Sequence, residues 1–312
     1  MSMRVRAIAF SSSANLGAGY DVLSMSHRAF NDVVYAELLD SGEGKIFIET
    51  DSSVPTDPSK NSASVPVEAI MEDYKVKGII KLKIVKGIPP GLGLGSSGAS
   101  AVAAVAAVSR LLDLNLSLED IVKYAVLGEK AVSGSPHPDN VAASAFGGVV
   151  AVTSHDPFRI VRVAVNYDFK IMLIIPRLAT GVGKTKRARE LVPPKVELNK
   201  VVENARYLSS LMVGLIKGDR NLIQEGMNDS IVEKAREPLY PYYPKIREIS
   251  LKYNSVGVCV SGAGPSVLVL YDEETELEKI KLGATDVCRG FGFDCDFVTT
   301  EIGGGVKVEG LD

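Results

Sequence analysis

Ile88-Pro89-Pro90-Gly91-Leu92-Gly93-Leu94-Gly95-Ser96-Ser97-Gly98-Ala99 separates a strand-like run, Gly78 to Val85, from an alanine-rich run that reads as a helix from Ser97. Glycines at i, i+2 and i+4 let successive N–H groups turn to one side without Cβ clashes. A helix that starts at the paired serines adds its own unpaired N–H groups and positive dipole end, so loop and helix would face the same anion. The serine hydroxyls add donors and one candidate Mg²⁺ ligand. A plain tight turn against a sheet would explain the glycines, but not two serines at a helix start. The segment is therefore read as a phosphate-binding loop. A rival, Gly183-Lys184-Thr185, ends like a G-x-x-x-x-G-K-[ST] loop, but the position of its first glycine holds Leu178. Without that glycine the loop cannot wrap a β-phosphate in the usual way.

Around the loop, residues 87–109 carry no charge over 23 positions, long enough to cross a bilayer. The first half is Gly, Pro and Ser, and the six alanines between Ala99 and Ala107 contribute little transfer energy. A closely packed helix is the better reading. Upstream, Arg4 to Phe10, Asp32 to Leu39 and Lys45 to Glu49 read as strands, the last after a Ser41-Gly42-Glu43-Gly44 turn. Ser64 to Tyr74 has helical spacing. Downstream, Ser117 and Asp120 make a capping pattern for a helix running towards Glu129. After Gly147-Gly148 comes a strand, 149–153. The second half adds a buried strand, Lys170 to Pro176, and helices near Val196–Lys217, Pro241–Tyr253 and Glu274–Arg289. Strands Ser255–Val260 and Ser266–Tyr271 flank a second glycine turn, Ser261-Gly262-Ala263-Gly264-Pro265, and a strand near Phe293–Thr299 closes the order. Without a regular βαβ alternation the class is α+β. Two domains are expected, 1–154 and 155–312, divided at Ser154-His155-Asp156-Pro157, although extended segments on either side could pair in one sheet.

The 312 residues suit two domains, and 46% hydrophobic with 23% charged residues exclude a disordered chain. A net charge of −3 argues against a nucleic-acid partner. The N-terminal residues MSMRVRAIAF show no long apolar segment, so no signal peptide and no membrane partner are expected. Cys259, Cys288 and Cys295 fit neither a disulfide framework nor paired zinc spacing, which implies a reducing cytoplasm. Twenty-nine glycines in a chain without tryptophan suggest backbone used as a binding surface.

The 88–99 stretch resembles the ATP-binding signature of the GHMP small-molecule kinases. Further blocks narrow the resemblance to the homoserine kinases of that superfamily: SSSANLGAGYDVLS (11–24), SPHPDNVAASAFGG (135–148), KTKRARELVP (184–193), NDSIVEKAREPL (228–239) and SGAGPSVLVL (261–270). Ala18, Tyr20, Ser24 and Gly98 depart from the usual Pro, Phe, Gly and Ala without removing a necessary group, and the segment around Arg236 matches only in part. The resemblance implies an N-terminal domain like ribosomal protein S5 and a ferredoxin-like C-terminal domain. It also implies ATP and Mg²⁺, L-homoserine as substrate for threonine biosynthesis, and a homodimer. Kinases for other alcohols, such as mevalonate or shikimate, and a catalytically silent nucleotide sensor on the same fold are the alternatives.

It carries roles residue by residue. Pro89, Pro90, Gly91, Leu92, Gly93, Leu94, Gly95, Ser96, Ser97, Gly98 and Ala99 would hold the ATP phosphates, with Asn61 near the adenine. Arg189 and Arg236 would fork onto the substrate carboxylate. Asp21 and Asp139 would hold its ammonium, and Asn15, His137 and Asn140 would position its hydroxyl. Ser97 and Glu129 would be the Mg²⁺ ligands. Asn140 would orient the reacting hydroxyl, since the aspartate base of sister kinases has no clear counterpart, and proton loss would be late or to phosphate. His27 and His155 receive no role.

Overall fold

A computed structural model describes residues 4–39, 44–52, 54–134, 137–178 and 184–311, with the backbone alone for 133 and 184–186. Ser41 to Glu43 of the expected turn, Ser135-Pro136 and Gly183 lie outside the described residues. The first half holds β1 (Arg4–Asn15), β2 (Gly19–Leu39), β3 (Lys45–Thr50), α1 (Ser64–Asp73), β4 (Ile79–Val85), α2 (Ser96–Leu111), α3 (Leu118–Ser133), α4 (Pro138–Phe146), β5 (Val149–His155) and β6 (Phe158–Val163). The second holds β7 (Lys170–Pro176), α5 (Lys184–Glu190), α6 (Leu198–Lys217), α7 (Arg220–Gly226), α8 (Val232–Arg236), α9 (Tyr243–Lys252), β8 (Gly257–Val260), β9 (Val267–Tyr271), α10 (Leu277–Gly290), β10 (Cys295–Thr300) and β11 (Lys307–Leu311).

Two sheets form. The larger runs β11-β1-β2-β4-β3, with β5 also pairing β2 and β6 pairing β5; the smaller runs β10-β7-β9-β8. The smaller sheet is antiparallel, with helices between β7 and β8 and between β9 and β10. That is the split βαβ of a ferredoxin-like domain. The expected 154/155 division falls within the β5–β6 hairpin, where His155 pairs Phe158. The sheets part after Val163, and the last strand returns to the first sheet, Ala7 opposite Val308.

Packing follows from composition. In α2 the alanines and valines 99 and 101–108 are all at most 2% exposed, so the helix is enclosed on every side. The uncharged 87–109 stretch thus resolves into a loop and the start of a 16-residue buried helix, and among the described residues no helix is long and apolar enough to cross a membrane. Ser117 and Asp120 cap α3 reciprocally. Strand β7 faces apolar neighbours on both sides: Ile171 and Leu173 join the first core, Met172 and Ile174 the second. A strand buried on both faces loses the alternation of a half-exposed one.

One sequence expectation is overturned. Cys288, near the end of α10, and Cys295, at the start of β10, form a disulfide across Cα atoms 6.2 Å apart. The short helix-to-strand turn brings them together, which a count of sparse cysteines does not reveal. Cysteine usage therefore lends no support to a reducing compartment. Cys259 is free and buried.

Candidate active site

The glycine loop lies between the two halves of the molecule. Gly91, Gly93 and Gly95 have φ of 75°, 75° and 70°, the left-handed region that glycine adopts without strain. Behind the loop its carbonyls are taken: Leu94 O accepts from Ser12 N at 3.1 Å, Leu92 O from Ser266 N at 3.4 Å and Gly93 O from Ser261 Oγ at 2.7 Å. Carbonyl and N–H of a trans peptide point oppositely, so the amides of Gly93, Leu94 and Gly95 turn away from that wall. The first turn of α2 follows at once, with Gly95 as its N-cap. Ser96 Oγ donates back to Ile88 O at 2.9 Å and so closes the loop rather than facing a ligand.

Ser97, on the same turn, hydrogen-bonds Glu129 of α3. Glu129 is 7% exposed, and burial pushes its carboxyl up, partly offset by Ser97 and by the charges of His137, Lys86 and Arg189. A buried carboxylate beside a hydroxyl on the first turn of α2 is a hard-oxygen donor pair that fits Mg²⁺.

The start of α4 collects the other polar groups. Asn140 Oδ1 accepts from Ser12 Oγ at 2.8 Å, and a Cβ on Gly95 would lie 3.1 Å from that same Oδ1. Asp139, 2% exposed, accepts from the Asn140 amide at 2.8 Å. Ligand atoms of Asp21, His137 and Asp139 lie within 4.8 Å of one another. Burial, then the charge of Asp21, pushes the Asp139 carboxyl up to about 6. Burial also works against the Asp21 charge, but the His137 hydrogen bond and charge, with Arg189 and Arg236, outweigh it and hold that carboxyl below its usual range. The Arg189 guanidinium lies against His137 Nδ1 and stands 3.6 Å from Asp21 Oδ2. The cluster is therefore one of mixed charge, not an anionic cage.

Model matches are to the GHMP kinases N terminal domain over residues 61–148 and to the GHMP kinases C terminal domain over residues 211–290. A homoserine kinase of Saccharolobus islandicus is 54% identical over 304 residues, covering 97% of this chain and 98% of that protein. The homoserine kinase of Saccharolobus solfataricus is 53% identical over 98% of this chain and 99% of its own. The crystal structure of homoserine kinase from Cytophaga hutchinsonii superimposes with a TM-score of 0.88 at 30% identity, covering 98% of this chain and 97% of that one. The chain belongs to the homoserine kinase family of the GHMP kinases. The two-domain GHMP kinase fold agrees with the α+β reading.

Within this homoserine kinase family member the expected residues divide. Asp21, His137, Asp139, Asn140 and Arg189 converge, and Ser97 and Glu129 adjoin them. Asn15 is spent locally: its Nδ2 donates to Gly262 O at 3.0 Å and its Oδ1 accepts from Asp21 N at 3.3 Å. It ties the β1–β2 turn to the second glycine turn. Asn61 is 3% exposed and equally committed, to Pro55 O at 2.6 Å and Ala63 N at 2.9 Å. Arg236, 3% exposed, donates to Ala188 O at 2.7 Å and lies 5.1 Å over the Tyr20 ring. It thereby anchors the helix that carries Arg189. His27 is fully buried between Ser11 and Ser13, and burial holds its imidazole down at about 3. Reading the sequence missed Ser12 and Ser261, whose hydroxyls hold Asn140 and the loop; all three serines of the 11–13 run are buried, and nothing local tells which of them reaches Asn140.

Proposed function

We propose that the chain transfers the γ-phosphoryl group of ATP to the hydroxyl of L-homoserine, giving O-phospho-L-homoserine for threonine biosynthesis in the cytoplasm. The observation that carries this reading is contiguity: Gly95 of the phosphate loop abuts Asn140, whose neighbour Asp139 belongs to the pocket with Asp21, His137 and Arg189. One small substrate bound there would place its hydroxyl at the loop. Arg189, steadied by Arg236, would take the carboxylate, and Asp21 with Asp139 the ammonium. Asn140, oriented by Ser12, would hold the hydroxyl. Phosphoryl transfer asks for positioning and charge stabilisation more than covalent help, and loop amides with the start of α2 supply both. Ser97 and Glu129 would hold Mg²⁺, which when bound neutralises phosphate charge. The pair of acids disfavours mevalonate, which has no ammonium.

A coupled assay should show ATP- and Mg²⁺-dependent phosphorylation of homoserine, with little turnover of mevalonate or shikimate. Turnover of another alcohol but not homoserine would overturn the substrate assignment, and no turnover at all would favour the nucleotide sensor.

The reading includes a homodimer and neither a nucleic-acid nor a membrane partner. Helix α6 leaves Leu198, Val201, Val202, Val213 and Ile216 exposed. About Tyr207 this stripe reads nearly the same in both directions, Leu198 with Ile216 and Val201 with Val213, and Glu197 would meet Lys217. A two-fold axis requires such self-complementarity. Light scattering should give about twice the 33.3 kDa chain mass, and Val202→Glu with Val213→Glu should halve it; a monomeric wild type would refute the dimer.

A further inference from the structure

The nucleotide loop is held from behind by a buried ion pair that the chemistry above does not use. Asp32, in the middle of β2, is fully buried, and the Lys86 side chain is 7% exposed. Asp32 Oδ1 accepts from Gly87 N at 3.0 Å and Ile88 N at 2.9 Å. Its Oδ2 accepts from Ser100 Oγ at 2.7 Å and pairs with Lys86 Nζ. The Lys86 ammonium also donates to Ser96 O at 3.0 Å and Ser100 Oγ at 2.8 Å. Residues 86–88 lead into the loop and residues 96–100 lead out of it. One carboxylate and one ammonium therefore bond both roots at once, and the Ser96 Oγ–Ile88 O bond lies between them.

A neutral pair of hydrogen-bonding side chains could pin two segments more cheaply. Burying opposite charges costs several kcal/mol per ion in desolvation, and the attraction offsets this only when the remaining hydrogen-bonding capacity is filled. Here it is filled: Asp32 accepts four bonds and the Lys86 ammonium makes three. Such a fully bonded pair fixes geometry tightly, because any change in root separation lengthens several charge-assisted bonds together. Lys86 also acts on Glu129, whose charge it favours, so one ammonium links the loop roots to the candidate Mg²⁺ carboxylate.

We propose that Asp32 and Lys86 are positioning residues for phosphoryl transfer, setting the width of the 88–96 loop so that its amides match the ATP phosphates. Both side chains are buried, so they would act through the loop rather than on either substrate. The inference rests on the reading of residues 89–99 as the ATP phosphate loop.

The test uses the double variant Asp32→Asn/Lys86→Met, which leaves no lone buried charge and so should fold where either single change fails. KM for ATP is expected to rise about 10- to 100-fold, the scale on which misplacing reacting groups is felt. KM for homoserine should stay within about twofold, a split that general loss of structure would not give. Hydrogen exchange of the loop peptides with and without a non-hydrolysable ATP analogue distinguishes the two levels. If the analogue protects the wild-type loop, but the double variant keeps the wild-type KM for ATP or raises both KM values equally, the positioning role is wrong. If the analogue leaves the wild-type loop unprotected, the loop reading fails and the positioning role fails with it.

Discussion

Replacing Asp139 with Asn is expected to give a more stable protein and a much poorer enzyme. Asp139 is 2% exposed, and burial followed by the Asp21 charge lifts its carboxyl to about 6. The folded value lies above the 3.8 of a free aspartate, so the group favours folding fully below about 4 and loses that contribution as pH rises through about 6. At neutral pH its ionisation costs on the order of 3 kcal/mol, at ~1.4 kcal/mol per pKa unit. Asn has the same shape, carries no charge and can still accept from the Asn140 amide. Asp139→Asn should therefore melt higher than the wild type at pH 7.5, by an amount that shrinks towards pH 5. The same change removes half of the acid pair assigned to the substrate ammonium. A charge-assisted hydrogen bond contributes ~1.5–3 kcal/mol, so kcat/KM for homoserine should fall about 10- to 100-fold, with KM for ATP little changed. Wild-type kcat/KM for homoserine should itself decline as pH drops through about 6, reporting the free enzyme. A melting difference that does not change with pH would contradict the buried charge. An unchanged KM for homoserine would remove Asp139 from the ammonium site.

The trade between stability and chemistry explains which parts of this fold were legible in the sequence. Helix α2 and its loop were readable because their signals are local: glycine spacing, paired serines, an alanine run. The first half of β2 was not. Ser24, Ser26 and His27 look like loop residues, yet all are buried, satisfied by Ser13 O, Gly304 O and the Ser11 and Ser13 hydroxyls. Strand β11 is five mostly exposed residues. It is placed by its antiparallel pairing with β1, Ala7 opposite Val308, a contact that no local pattern contains. The site divides in the same way. Asp139, Asn140 and Arg189 all take their roles from the family resemblance; the first two are neighbours in one block, whereas Arg189 stands in a basic run like any solvated helix face. Its proximity to His137 spans 52 positions, and that of Lys86 to Asp32 spans 54. Asn15 and Asn61 have side chains taken up by the backbone they shape, a commitment that the sequence does not display.

Gly93→Ala should be among the most damaging single-methyl changes in the chain, and Gly134→Ala shows why. Both glycines have positive φ, 75° and 79°, so alanine meets the same backbone penalty of ~1–2 kcal/mol at either position. Among the described residues nothing lies within 4 Å of a Cβ added at Gly134, and the penalty ends there. At Gly93 the Cβ would sit 2.2 Å from Ser261 O and 2.9 Å from Gly264 O. These are backbone atoms of the second glycine turn, which cannot rotate aside. Overpacking of this kind adds ~1–3 kcal/mol. Relief requires the turn to separate from the loop, breaking the Ser261 Oγ–Gly93 O bond of 2.7 Å that helps hold the loop carbonyls to their wall. Gly93→Ala should therefore lower the melting temperature about twice as much as Gly134→Ala, and it alone should raise KM for ATP, by about tenfold or more. Equal melting shifts for the two variants would mean that the turn yields freely. An unchanged KM for ATP in a folded Gly93→Ala protein would mean that contact between the two glycine turns does not set the phosphate site.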